Sequence, residues 1–294
     1  MAHRSIVKGT QTIEALARRF PQLYVAPAEG AEAAHRLAAG RGQAPGGATL
    51  DHFVRSDADE LLEVQTTAGP VEVLFLERRE DFSTFLQIIG KRSSPEPIPP
   101  TIGAMTYRGI ADWQAVEKAR IEYIASGGTQ WPKEFARLAR IPGTFRTELV
   151  VVSQGPYSNI PATQTPYQED EWLRISRDIR LNHECAHVVC RRVMPQDILP
   201  IWDEVTADMV GLLCACGTYD ADLASRFLGV TSEGFAGGRL AEYLDDGQRG
   251  DIDRLSRKVH EAVLSIAHML QDGSAATDPF ELLLDLKRKP LLEM

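Results

Sequence analysis

Leu181-Asn182-His183-Glu184-Cys185-Ala186-His187-Val188-Val189-Cys190 contains the pattern H-E-x-x-H, and its reading decides the fold. On a helix, residues i and i+4 lie on one face, so His183 and His187 can hold one metal ion together. Glu184 then sits one step around the helix, close enough to act on a water bound to that metal. Imidazole suits zinc, which makes a nucleophile from water near neutral pH. Trp172, Ile175 and Ile179 upstream, and Cys190 and Met194 downstream, continue the stripe of the two histidines at steps of three or four. That stripe points into the protein. Inward histidines need partners because unpaired buried polar groups are costly, and a metal supplies them. The competing reading is a metal-free polar stretch of core helix.

The flanks mark a long helix. Thr165-Pro166-Tyr167-Gln168 reads as a capping box with Pro at the first helical position. Glu169, Asp170 and Glu171 follow in the first turn, where the helix dipole favours acids. Arg191 and Arg192 close the last turn, and Pro195 stops the helix.

A catalytic zinc needs a third protein ligand and an open fourth position. The next helix, opened by Pro200 and ended by Gly217, offers Glu204 and Asp208 on one face. Small Ala207 and Gly211 flank that face and allow close approach of the two helices. Glu204 can complete the metal sphere, and Asp208 can accept the free ring N–H of a ligand histidine. Asp203 reads as part of a solvated acidic face. Asp220 is a competing third ligand, within Gly217-Thr218-Tyr219-Asp220, but reads more simply as a cap of the following helix.

H-E-x-x-H followed on the next helix by E-x-x-A-D resembles the gluzincin branch of the zinc metallopeptidases. The resemblance covers about residues 181 to 212. It implies His183, His187 and Glu204 as zinc (Zn2+) ligands, Glu184 as general base and Asp208 as the acid behind a ligand histidine. It also implies a peptide or protein substrate. Two features depart from the family pattern: the short connection Pro195 to Pro200, compact even for gluzincins, and Cys185 inside the motif, at a position without a required chemistry. The metzincin continuation is absent, since Cys190 and Val193 stand where Gly and His would.

The formal charge of -9, with no cluster of basic and aromatic residues, argues against a nucleic-acid surface. Met1 to Lys8 is not followed by an apolar run with a cleavage site, and no stretch approaches membrane-span length. A cytoplasmic chain with no membrane partner is therefore expected. Four cysteines in 294 residues fit reduced, buried small side chains better than disulfides. Cys214 and Cys216 point their thiols too far apart on a helix to share one metal.

The expected fold is α+β: a small mixed sheet, then a predominantly helical body with a zincin-like active-site helix. Thr12 to Phe20, Ala31 to Ala39 and Asp81 to Ile89 read as helices, and Leu61 to Thr66 with Val71 to Glu77 as a hairpin. Gly40 to Gly47 lacks phosphate-loop spacing. Residues 1–92 form an N-terminal α/β region, 93–101 a Pro-rich linker and 102–294 a zincin-like domain in this reading. Trp113 to Ala125 and Pro132 to Arg140 read as helices. Arg146 to Ser153 is the strongest strand, either an edge that binds substrate backbone at Leu149 to Val152 or a buried central strand. Tyr219 to Leu228, Arg239 to Leu244, Asp251 to Leu270 and Pro279 to Leu286 read as further helices. Tyr219, Arg239, Tyr243 and His260 are candidates to stabilise an oxyanion. The expected activity is zinc-dependent peptide hydrolysis, with a metal-stabilised binding or regulatory protein on the same scaffold as the alternative.

Overall fold

The computed structural model describes residues 3–194, 200–244, 247–271 and 278–288. The connection Pro195 to Pro200 thus lies mostly outside the described residues. The protein is α+β, with a five-stranded mixed sheet followed by a mostly helical body. It divides into two compact units. One comprises His3–Glu63 and Glu72–Gln154; the other comprises Val64–Val71 and the chain from Gly155 onward.

The sheet orders its strands β1 (His3–Lys8), β2 (Glu60–Thr66), β3 (Gly69–Leu76), β5 (Arg146–Ser153) and β4 (Ala104–Ala111). β5 runs parallel to β3, pairing Glu72 with Leu149 through Leu76 with Ser153. It runs antiparallel to β4, pairing Ala104 with Val152 through Ala111 with Arg146. Its run Leu149, Val150, Val151 and Val152 is buried throughout, as an apolar stretch covered on both faces should be. The strand is therefore central. The reading of Leu149 to Val152 as a substrate-binding edge is excluded, because both rows of backbone groups are already paired. β1 and β4 hold the two edges, and neither was expected from the sequence.

Helices α1 (Thr12–Arg19), α2 (Glu32–Arg41) and α3 (Arg79–Lys91) follow the predicted spans within a turn. α1 and α3 place Ile13, Leu16, Phe82, Phe85 and Leu86 in one core with Leu74, Leu76, Leu149 and Val151 of the sheet. Each such side chain contributes about 1.5–3 kcal/mol on burial. The Pro-rich segment joins α3 to β4. α4 (Trp113–Ala125) and α5 (Trp131–Leu138) then lead into β5.

In the helical unit, α6 (Glu169–Val193) and α7 (Pro200–Cys216) lie side by side. Thr165 does not cap α6 as the capping box requires. Its hydroxyl accepts from Tyr167 N and donates to Ala162 O, forming a local turn, and the helix begins at Glu169. Gly211 sets the closeness of the helix pair: a Cβ there would stand 2.8 Å from the Ile179 carbonyl oxygen and 2.9 Å from its Cγ2. α8 (Ala221–Leu228), α9 (Ile252–Gln271) and α10 (Pro279–Lys287) complete the unit. Residues 239–243 form a 3-10 turn rather than an α-helix. All four cysteines are free; Cys185 and Cys190 are buried, whereas Cys214 and Cys216 are only half-buried. Among the described residues no helix is long and apolar enough to cross a membrane.

Candidate metal centre

α6 and α7 bring His183, His187 and Glu204 together, each with a ligand atom within 4.8 Å of the others. The two Nε2 atoms are 3.0 Å apart. His183 Nε2 lies 3.3 Å from Glu204 Oε2, and His187 Nε2 lies 3.4 Å from Glu204 Oε1. A tetrahedron of bonds near 2.05 Å has edges of about 3.3 Å, so these separations suit a zinc-sized ion.

The opposite ring nitrogens fix which way the histidines face. His183 Nδ1 lies 2.9 Å from Asp208 Oδ1, and His187 Nδ1 lies 2.7 Å from Asp203 Oδ2. A carboxylate accepts only, so both Nδ1 atoms carry hydrogen and neutral rings turn two Nε2 lone pairs toward each other. At 3.0 Å that arrangement is repulsive unless a proton or a cation lies between them. Glu204 Oε2 is likewise buried without a hydrogen-bond partner among the described residues. Orphaned carboxylate oxygens are costly to bury, and a coordinated cation removes the cost. The donor set present here therefore fits a metal ion.

Two supports stand behind the ligands. Asp208, 1% exposed, accepts from Tyr157 Oη at 2.6 Å and from Arg239 Nη2 at 2.5 Å. Arg239 also lies over the Tyr157 ring, 4.9 Å from its centroid, and its Nη1 is 3.8 Å from Glu204 Oε2. On the other side, Asp203 pairs with the fully buried Lys287 ammonium of α10. Three carboxylates facing Lys287 and Arg239 leave a net charge of minus one around neutral histidines, which favours uptake of a divalent cation.

Proton affinities follow from this crowding. Burial opposes charge on His187, but hydrogen bonds to Asp203 and Glu204 outweigh it and lift its pKa to about 10. His183 is raised in the same way, with Asp208 and Glu204 overcoming burial. Burial favours the neutral acid at Glu204, yet the two imidazoles hold its carboxyl far below the usual range. Asp203 is lowered against burial by His187 and Lys287, and Asp208 by Arg239 and His183.

Glu184 lies half-buried on α6 beside His183. Asp220 stands apart from the triad. It caps α8, accepting from Leu223 N at 2.9 Å, and is exposed. Of the candidate oxyanion groups, Arg239 is committed to Asp208. Burial raises the Tyr243 pKa, as do Glu204 and Asp208 beside it, while Arg239 opposes the shift. Tyr219 buries its hydroxyl without a hydrogen-bond partner among the described residues. His260 faces Ser225 Oγ at 3.2 Å instead.

Three contributors escaped the sequence reading. Asp203 is no solvated residue but the partner of His187. The E-x-x-x-D spacing pointed only at Asp208, although Asp203, one residue before the expected ligand, is on the same turn. Tyr157 and Lys287 come from remote segments that no local pattern ties to the motif. No curated protein and no solved structure matches the chain. Residues 4–294 match the family of unknown function DUF7005, and the chain belongs to that family.

Proposed function

We propose that this protein is a zinc metallopeptidase that hydrolyses peptide bonds by activating water. The observation that carries the reading is the convergence of His183 Nε2, His187 Nε2 and the buried Glu204 Oε2, which accepts no hydrogen bond among the described residues, with H-E-x-x-H supplying Glu184 alongside. A bound zinc would supply Lewis acidity to a scissile carbonyl and to the attacking water. His183, His187 and Glu204 hold it, while Asp208 and Asp203 keep the imidazoles turned toward it. Glu184 takes the proton of the attacking water and passes it to the leaving amine. Tyr157 and Arg239 hold Asp208 in place rather than touching substrate.

The test couples metal content to turnover. Purified protein is expected to carry near-stoichiometric zinc and to cleave members of a peptide library. Glu184→Gln should retain the zinc and lose at least about a hundredfold in turnover. Cleavage that survives Glu184→Gln unchanged would overturn the peptidase mechanism. Stoichiometric zinc with no cleavage of any library member would make the centre a structural one.

A further inference from the structure

The sheet-bearing unit contains a cavity of about 520 Å³ that the metal chemistry does not use. Its size is that of a site for a small organic molecule. Phe145, buried, and Phe135, half-buried, stack with centroids 5.6 Å apart and planes 14° apart. Trp113 forms a further part of the lining and is held by its indole N–H, which donates to Ala39 O at 3.0 Å. Val116 and Ala139 add apolar surface. Arg36, Arg92 and Glu32 also line the cavity and are exposed; among the described residues neither arginine has a carboxylate within ion-pair distance, so the two cations outnumber the one acid. Arg146, also in the lining, donates to Gly109 O at 2.7 Å.

The wall is built rather than accidental. His35 is buried, and its Nδ1 is 3.1 Å from Ser93 Oγ, whose hydroxyl in turn donates to Val25 O. Arg92 and Ser93 both adopt positive φ, at 56° and 63°, a conformation that non-glycine residues rarely take. It is held by Ser93 N donating to Gln87 O and Ser93 O accepting from Ala28 N. Burial and the nearby Arg92 guanidinium both lower the His35 pKa.

We propose that this cavity binds a small organic anion consisting of a planar ring and one acidic group, the ring against Trp113, Phe135 and Phe145 and the acidic group at Arg36 and Arg92. Stacking favours a flat π-face, and guanidinium forks favour a carboxylate or phosphate over a neutral group. Both acid types share this chemistry, so two probes separate the sources: 2-naphthoate for aryl carboxylates and adenosine 5′-monophosphate for ring phosphates.

Binding of each probe to the full chain is followed by titration calorimetry up to about 1 mM, beside adenosine and inorganic phosphate. At least one ring anion should bind saturably, and about tenfold more tightly than inorganic phosphate or adenosine. The exposed pair Arg36→Ala/Arg92→Ala should weaken it at least about tenfold without altering the circular dichroism spectrum. Phe135→Leu should weaken it as well. No saturable binding of either ring anion overturns the proposal. So does binding that the arginine variant leaves unchanged, or inorganic phosphate binding as tightly as the ring anions.

Discussion

Two largely buried ionic clusters among the described residues are finished differently. In the sheet-bearing unit, Arg19 donates from Nη1 and Nη2 to the Glu72 carboxylate at 2.9 and 2.8 Å and from Nε to Asp112 at 2.8 Å. Glu72 also accepts from the Thr147 hydroxyl, and Asp112 from Ala115 N. Every group in that cluster is answered by another group of the protein. In the helical unit, two histidines face each other through Nε2, and a carboxylate oxygen of Glu204 accepts no hydrogen bond among the described residues. A cluster closed in this way needs nothing further, whereas one left a cation short could hold a metal ion.

The largest effect should come from removing a ligand. His187→Ala is expected to lose stoichiometric zinc altogether, as measured by elemental mass spectrometry on the purified protein, while the Arg19 cluster stays intact. Retained zinc would show that the open cluster is no metal centre and would erase the contrast. Arg19→Met tests the closed cluster. It leaves two partly buried carboxylates without their cation and should cost about 2–3 kcal/mol in chemical denaturation, with zinc content unchanged. Loss of zinc in this variant would mean that the two clusters are not independent.

Asp203→Asn and Lys287→Met should be milder. The first keeps an acceptor for His187 but removes its charge, and should weaken zinc binding by about tenfold to a hundredfold in competition with a chelator. The second should shift affinity in the same direction, because it removes the cation that holds Asp203. An unaltered zinc affinity in both would mean that only Asp208 supports the site.

The comparison is sharpened last by a pH dependence of the metal-free protein. The His187 pKa is raised to about 10, so its charged form stabilises the fold fully below the unfolded value near 6.5 and progressively less as pH rises through about 10. Thermal unfolding after chelation should therefore fall over that interval. With zinc bound the proton is displaced, so affinity should rise with pH and the decline should flatten. An equal decline with and without zinc would detach the histidine from the metal.

Much of the site could be read in advance because its chemistry is local. His183, His187, Glu204 and Asp208 come from two consecutive helices, where spacing of four places side chains on one face. Gly211 reported close helix approach through its size alone. What escaped is long-range: Tyr157 meets Asp208 across 51 residues, and Lys287 meets Asp203 across 84. Asp203 escaped for another reason, since an acid on an amphipathic helix looks solvated until its partners are known. In the sheet, the hairpin and α3 were legible from their patterns, and β5 from its apolar run. β1 and β4 were not, because edge strands such as His3–Lys8 carry mostly exposed residues and no alternating stripe.

The pairing of Asp203 with Lys287 also has a consequence for synthesis on the ribosome. The chain emerges from its N-terminal end, so α6 and α7 can pack before α10 exists. At translation rates of about 5–20 residues per second, the 84 residues between the pair take on the order of ten seconds to make. Throughout that time Asp203 lacks its buried ammonium and His187 is the less firmly oriented. A metal held by His183, His187 and Glu204 would find its support complete only once translation has passed residue 287.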